Sequence, residues 1–224
     1  MATVDSWARG RRGPERGELT SHRVTGVSDM RQRILEATVE RIESAGERSV
    51  RLRDIARAVG IAEPSLYHYY PNREALIVES QAYRLRRSLA IAVDPFVDAI
   101  RHCSSREEFI RILLSVYQHS YEAERAAVRA VRAEIVGNSF HRKDLQAVVA
   151  EAFTKALEQS VEALDLAQQR GWLPERIDTS AFAMFNLSLI SSLVFPEVYA
   201  DATLLTNWKL LAEQAITLII TSDS

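Results

Sequence analysis

The residues whose types and spacing could do chemistry lie between positions 51 and 73, in the stretch RLRDIARAVGIAEPSLYHYYPNR. Its second half gathers Ser65, Tyr67, His68 and Tyr69. Their hydroxyl and imidazole groups can donate hydrogen bonds to phosphate oxygens or to the edges of nucleic-acid bases. Four arginines and two acids give the stretch a net charge of +2, whereas the whole chain carries −2. The charge is therefore biased toward this stretch.

The elements that must position these side chains are two short helices, predicted over about 52–58 and 63–69. Two helices that cross steeply need a small residue at the contact, which Ala56 supplies, and Gly60 tolerates the positive φ of a tight turn. Pro64 suits the first turn of the second helix, where its missing N–H costs nothing. We expect the crossing angle to be fixed by a small core of Ile55, Val59, Ile61 and Leu66. The alternative is a plain helical hairpin with tyrosines on its surface.

The segment before this pair contains a predicted helix and a tail. Ser28 is the expected N-cap of the helix, Ile34, Thr38 and Ile42 lie on its apolar face, and Gly46 ends it. Residues 1–27 hold scattered glycines and five arginines and show little hydrophobic periodicity. We expect them to be disordered, either as a solvated tail or as a basic arm that follows DNA.

The rest of the chain also has a helical period. A long helix is predicted from about Arg73 to Val93, where Asp94-Pro95 should break it. Later breaks are expected at Ser104-Ser105, Gly137-Asn138, Gly171 with Pro174, and Pro196. The helices between these breaks are predicted over about 96–102, 106–121, 123–136, 142–170, 178–195 and 204–221. No strand with sustained alternation of polar and apolar residues is evident, so the predicted class is all-α.

Residues 30–80 resemble the TetR (tetracycline repressor-like) family of bacterial regulators. The matching positions are Ile55-Ala56, Gly60-Ile61, Leu66-Tyr67, Tyr69-Tyr70 and Glu74-Ala75-Leu76. The resemblance implies a helix-turn-helix DNA-binding domain over 28–75 and a helical ligand-binding and dimerisation domain over 76–224. It also implies a symmetric homodimer whose recognition helices enter successive major grooves of a palindromic operator.

The resemblance assigns DNA contacts residue by residue. The DNA-binding candidates are Arg51, Arg53, Pro64, Ser65, Tyr67, His68, Tyr69 and Arg73. Tyr67 corresponds to a phosphate-contacting tyrosine, and Arg73 replaces a lysine that reaches phosphate. Arg51 stands where the family usually has a capping threonine, so its contribution could be charge instead. Glu63 could repel phosphate or accept from a cytosine amino group, but we favour electrostatic stabilisation of the helix N-terminus.

The body of the chain offers a dimer seam and a ligand pocket. The predicted dimer interface consists of Phe182, Leu189, Leu204, Trp208, Leu211, Ala215 and Leu218, although such a seam could equally serve the core of one chain. The predicted pocket is lined by Phe109, Leu113, Val116, Tyr117, Tyr121, Phe153, Leu157, Trp172 and Phe185. Their aromatic content favours a small apolar or aromatic effector.

Several classes of function are disfavoured by composition. The single cysteine, Cys103, permits no internal disulfide, no secretory signal is evident, and the apolar stretches are too short for a bilayer, so we expect a cytoplasmic protein without membrane contact. The adjacent His102 and Cys103 point about 100° apart on a helix, which disfavours a metal site. No catalytic pair or cofactor loop is evident, so we predict neither enzyme nor cofactor.

The function predicted from the sequence is a ligand-responsive repressor that an effector releases from its operator. The alternative is a dimeric small-molecule-binding or protein-interaction protein of the same fold that has lost specific DNA binding.

Overall fold

The computed structural model describes residues 16–199 and 201–222, and no strand occurs among them. The all-α class is therefore confirmed. The α-helices in chain order are α1 (Arg16–Ala45), α2 (Leu52–Val59), α3 (Glu63–Leu66), α4 (Arg73–His102), α5 (Arg106–Ser120), α6 (Ala126–Ser139), α7 (Lys143–Gln169), α8 (Thr179–Ser191), α9 (Val194–Tyr199) and α10 (Ala202–Thr221). Short 3₁₀ turns lie at Glu47–Ser49 and Ala123–Arg125.

The chain forms two compact units, Met1–Ile77 and Val78–Ser224, so the division falls inside α4. The first unit is built on α1, α2 and α3. Its core is formed by apolar residues spaced three or four apart on α1 and by the inner faces of the two short helices. Its buried members include Ile34, Ile42, Ile55, Leu66 and Tyr70.

The second unit surrounds a larger apolar core. Phe109, Leu113 and Tyr117 line one face of α5 and are buried, as are Leu145 of α7 and Ile216 of α10. Polar residues begin several of its helices. Ser105 accepts from the Glu108 N–H, Asp178 from the Ala181 N–H, and Asp201 from the N–H groups of Thr203 and Leu204. Across residues 16–199 and 201–222, no helix is both long and apolar enough to span a bilayer.

The predicted start of the first helix at Ser28 is wrong, since α1 begins at Arg16. Residues 16–27, which were expected to belong to a disordered tail, are helical instead. No proline interrupts this segment, so the helical hydrogen-bond ladder can continue through it. The expectation for residues 1–15 lies outside the described residues.

The predicted break at Asp94-Pro95 is also wrong, because α4 runs through Pro95 to His102 and absorbs the separate helix expected over 96–102. A proline inside a helix deprives the carbonyl four residues earlier of its N–H partner, and here that carbonyl belongs to Ile91. The Arg125 guanidinium donates to the Ile91 carbonyl at 3.2 Å. A side chain from another element thus replaces the missing donor.

Three other predicted helix boundaries differ from the structure by smaller amounts. Gly137-Asn138 does not end its helix, because α6 continues to Ser139. Glycine in a helix costs only about 1 kcal/mol relative to alanine, which neighbouring packing can offset. Pro196 begins no break either, since it lies in the first turn of α9, where its missing N–H is tolerated. The helix predicted over 63–69 is shorter than expected and ends at Leu66.

Candidate DNA-binding surface and ligand cavity

The turn between α2 and α3 is built on Gly60. Its backbone has φ 76° and ψ 31°, in the left-handed region that glycine adopts without a Cβ clash. The Gly60 N–H donates to the Arg57 carbonyl at 3.2 Å, and the Ile61 N–H reaches the Ala56 carbonyl at 3.0 Å. These two bonds complete the C-terminus of α2. The predicted role of Gly60 is confirmed, and Ala56 is buried.

The short α3 is held by one buried side chain and exposes its other face. Leu66 has no exposed surface, whereas Tyr67 is 49% exposed. Pro64 and His68 are exposed, and Ser65 and Tyr69 are half-buried. The inner residues Ile55, Val59 and Leu66 are buried and Ile61 is half-buried, so the predicted core of the turn is confirmed. This packing presents hydroxyl and imidazole groups on one surface.

Arg31 of α1 positions the turn after α3, a role that the sequence did not reveal. Its Nη1 donates to the Tyr69 carbonyl at 2.9 Å, and its guanidinium carbon lies 4.6 Å from the centre of the Tyr70 ring. Tyr70 is buried and its hydroxyl donates back to the Arg31 carbonyl at 3.5 Å. The stacked arginine therefore fixes the backbone that carries the candidate contact residues.

Arg33 supports the preceding helix in a similar way. Its Nη2 donates to the Val59 carbonyl at 3.1 Å, at the C-terminus of α2. A cation is favourable at that end of a helix because the terminal carbonyls have no partner within the helix. The sequence could have suggested this contact only through the position of Arg33 beside the apolar face of α1.

Three exposed arginines lie on α2 or at its N-cap, and two of them, Arg51 and Arg53, are predicted to contact DNA. Arg53 and Arg57 are exposed and both approach the Asp54 carboxylate, at 3.8 and 3.7 Å. Such exposed ion pairs contribute at most about 1 kcal/mol, so the arginines can exchange this partner for phosphate. Arg51 is the N-cap of α2, makes no capping hydrogen bond through its side chain, and donates from Nη1 to the Arg48 carbonyl at 2.9 Å.

Arg73 is bound within the protein. Its Nε donates to the Val50 carbonyl at 2.9 Å and its Nη2 to the Glu47 carbonyl at 2.7 Å. The guanidinium therefore clamps the 3₁₀ turn ahead of α2 and commits part of its five donors there. Asn72, directly before it, accepts from the Ala75 N–H at 2.8 Å and so caps the start of α4.

The second unit contains a cavity of about 360 Å³ between α6, α7 and α8. Two of the predicted pocket residues, Phe153 and Leu157, line it. The full lining is Arg129, Arg132, Ala133, Val136, Phe153, Thr154, Leu157, Met184, Leu187, Ser188 and Ser191. The two arginines had no signal in the sequence, since nothing in their spacing sets them apart from the many other arginines.

The remaining predicted pocket residues lie elsewhere. Leu113, Val116 and Tyr117 line a second space of only about 30 Å³, less than a tenth of the volume of the first cavity. Phe109 and Trp172 stack on each other, with ring centres 6.4 Å apart, and line neither space.

Tyr121 and Phe185 also line neither space. Tyr121 meets Trp208 edge to face at 5.7 Å, and Phe185 is exposed on α8. These side chains serve the core or the surface, because aromatic composition does not distinguish a packed core from a cavity wall.

The residues of the predicted dimer interface fall into two groups. Leu204, Leu211 and Leu218 are exposed on α10. Phe182 is buried at 4% exposure, which corrects its assignment, because the apolar side of α8 that contains it faces the core of its own chain. The half-buried Leu189 and Trp208 pack against that core, and Ala215 is half-buried.

His102 and Cys103, the adjacent pair considered as metal ligands, each approach a backbone carbonyl of their own helix region. The residues that the structure describes contain no group of three or more His, Cys, Asp or Glu side chains that could hold an ion. His102 Nδ1 lies 2.8 Å from the Asp98 carbonyl oxygen. Burial raises the pKa of the Cys103 thiol.

The helices α2 and α3 form a helix-turn-helix whose second helix is exposed, carries hydroxyl groups and is flanked by arginines. This arrangement is typical of helix-turn-helix DNA-binding domains. Residues 34–79 match the family of bacterial regulatory proteins described as the tetR family. This match confirms the predicted resemblance to the TetR family over the segment that contains the helix-turn-helix.

The chain is also similar to known proteins beyond that segment. It is 29% identical over 111 residues to the HTH-type transcriptional regulator RutR of Escherichia coli K12. The matched segment covers 48% of this chain and 50% of RutR. The chain thus spans about half the length of the curated relatives it matches.

Solved structures extend the likeness in fold to most of the chain. A TetR-family regulator from Rhodococcus sp. covers 87% of this chain and 100% of its own, with a TM-score of 0.63 and 19% identity. A regulator from Saccharomonospora viridis in complex with choline covers 85% of this chain and 96% of its own, with a TM-score of 0.58 and 18% identity. FadR from Bacillus subtilis in complex with stearoyl-CoA covers 85% of this chain and 97% of its own, with a TM-score of 0.54 and 18% identity.

Proposed function

We propose that this chain is a homodimeric, ligand-responsive repressor that binds a palindromic operator and releases it when a small effector with an apolar or aromatic part binds the second unit. The observation that carries the proposal is the exposure of Pro64, Tyr67 and His68 above the buried anchor Leu66. Exposed donors on a short, rigidly supported helix suit contacts with phosphates and base edges.

Effector binding is supported by the cavity in the second unit. Its volume of about 360 Å³ lies within the ordinary range for small-molecule sites, about 300–1,000 Å³. Two proteins of similar fold were solved with choline and with stearoyl-CoA. Those ligands differ in size and charge, so the likeness supports a ligand-binding function without indicating which ligand this chain takes.

Dimerisation is supported by the outer face of α10. Leu204, Leu211 and Leu218 recur every seven residues and are exposed, while the opposite face buries Ala212, Ile216 and Ile220 in the core. A helix with apolar residues on both faces favours a second helical partner for the outer face. A second copy of the chain would bury these leucines and would match the two half-sites of a palindrome.

A gel-shift titration with the region upstream of the protein's own gene tests the proposal. We expect sequence-specific binding that weakens as salt rises, because phosphate contacts release counterions. Equal and weak binding to all sequences would refute specific DNA binding and favour a dimeric small-molecule-binding or protein-interaction protein of the same fold.

The Tyr67→Phe variant tests the contact surface within that assay. It removes only the exposed hydroxyl, and we expect about tenfold weaker binding on specific and unrelated DNA alike, the loss expected for one bond to a phosphate. Tyr83→Phe, at a half-buried tyrosine of the second unit, is the matched control and should bind normally. An unchanged affinity of Tyr67→Phe would remove this tyrosine from the contact surface.

A further inference from the structure

Two arginines lie in the wall of the 360 Å³ cavity, which is otherwise mostly apolar. Arg129 and Arg132, both on α6, are only 3% and 7% exposed. Arginine is rarely buried to this degree unless a carboxylate or several carbonyls surround it, because moving a charge out of water is costly. The partners of the two guanidinium groups therefore show whether the cavity lacks a negative charge.

The two arginines differ in their partners. Arg129 is anchored to the backbone, with Nη2 donating to the Glu122 carbonyl at 3.3 Å and Nη1 to the Ser120 carbonyl. Within residues 16–199 and 201–222, the guanidinium of Arg132 has no hydrogen bond and no ion pair to another residue, so it lacks the carbonyl partners that Arg129 has.

The charged neighbours of Arg132 are themselves cations. Burial, followed by the positive charges of Arg129 and Arg125, lowers the pKa of Arg132 to about 10. The guanidinium remains protonated at neutral pH, so the cavity wall keeps a positive charge that the described residues do not balance. An anion would remove this imbalance, because buried charges are stable only when they are paired.

We infer that the cavity binds a small organic acid, whose carboxylate pairs with Arg132 and whose apolar or aromatic body lies against Phe153, Leu157 and Val136. A guanidinium matches a carboxylate through two parallel hydrogen bonds, which favours an acid over a neutral molecule of the same shape. A quaternary ammonium such as choline would meet two like charges there. The inference names the effector class of the proposed function and rests on it for the regulatory consequence only.

Isothermal titration of the full-length protein, without DNA, tests the inference. The probes are octanoate, 4-phenylbutyrate and 1-naphthaleneacetate, each beside its primary amide, with choline as a cationic control. We expect an acid to bind at least about tenfold more tightly than its amide, the effect of a charge-assisted hydrogen bond. Amides that bind as tightly as the acids, binding of choline, or no acid binding at millimolar concentration would each overturn the inference.

Variants of two buried arginines separate ligand binding from structural support. Arg132→Met should raise the melting temperature of the ligand-free protein by roughly 2–4 °C, since it removes an unbalanced buried charge, and should abolish the preference for acids. Arg132→Lys should restore part of that preference. Arg84 is 5% exposed but pairs with Glu134 at 3.6 Å and donates to Gln81 at 2.7 Å. Arg84→Met should therefore melt at a lower temperature and keep the preference.

The outcomes distinguish the inference from the proposed function. If Arg132→Met lowers the melting temperature as Arg84→Met does and keeps the preference for acids, Arg132 is structural and the inference is wrong. If an acid binds through Arg132 but leaves operator binding unchanged in the gel shift, the inference stands and the ligand-responsive repressor is refuted.

Discussion

Arg73 offers the sharpest test of how the DNA-binding surface is held. Arg73→Met removes the two hydrogen bonds to the Val50 and Glu47 carbonyls, at 2.9 and 2.7 Å. Two bonds from a charged donor, at about 1.5 kcal/mol each, contribute about 3 kcal/mol when buried. Solvent screening at this half-buried site reduces the total to about 2–3 kcal/mol. We expect the turn at Glu47–Ser49 to open roughly 30 to 150 times more often.

Hydrogen exchange by mass spectrometry measures this opening in the peptide that spans 46–52. Arg73→Lys keeps the charge, but one ammonium cannot reproduce the forked contact with both carbonyls, so it should lose at least half of the protection. Arg57→Met is the control, because Arg57 is exposed and pairs only weakly with Asp54 at 3.7 Å. The clamp would be refuted if Arg73→Met left the protection unchanged but weakened DNA binding, and if Arg73→Lys bound DNA normally. Arg73 would then act only through a phosphate contact.

Three further predictions concern the backbone, the long helix and the assembly. Gly60→Ala should destabilise the first unit by about 1–2 kcal/mol in denaturant titrations, because φ is 76° there, whereas Gly137→Ala in a helix should stabilise the second by up to about 1 kcal/mol. Arg125→Met should lower the thermal stability, and Pro95→Ala should reduce that loss by returning an N–H to the Ile91 carbonyl. Leu211→Glu should shift the protein toward monomer in sedimentation velocity, since an acid on the outer face of α10 opposes burial there.

Each of these predictions has an outcome that would count against it. Open space surrounds the position of a Cβ at both Gly60 and Gly137, so an equal loss in both alanine variants would contradict a conformational origin. Additive effects of Arg125→Met and Pro95→Ala would show that the two sites are not coupled. Phe140→Glu, at a residue 71% exposed outside α10, is the control for Leu211→Glu, and equal dissociation of both variants would argue against the α10 face.

Features that depend on neighbouring residues were predictable from the sequence. The turn of α2 and α3 needs a small residue, a glycine and one apolar anchor within eleven positions, and Ala56, Gly60 and Leu66 supply them in order. Phe182 was misassigned for a tertiary reason, since an apolar helix face looks the same whether it meets its own core or a partner.

Features that depend on distant residues were not predictable. The helix around Pro95 continues because of an arginine 34 positions beyond the carbonyl it serves. The charge in the cavity wall depends on which of the chain's many arginines face inward without an acid, and this becomes visible only once α6, α7 and α8 are placed together.

The unbalanced charge of Arg132 has a consequence for the amount of protein in a cell. A molecule that binds only the folded state adds stability as its concentration rises, about 2.7 kcal/mol at one hundred times its dissociation constant. Proteases remove proteins through their unfolded fraction, so an acid bound in the cavity would lengthen the lifetime of the protein as well as change its activity. Cells that lack the acid would then hold less of this regulator, and its steady-state level would itself report the supply of the ligand.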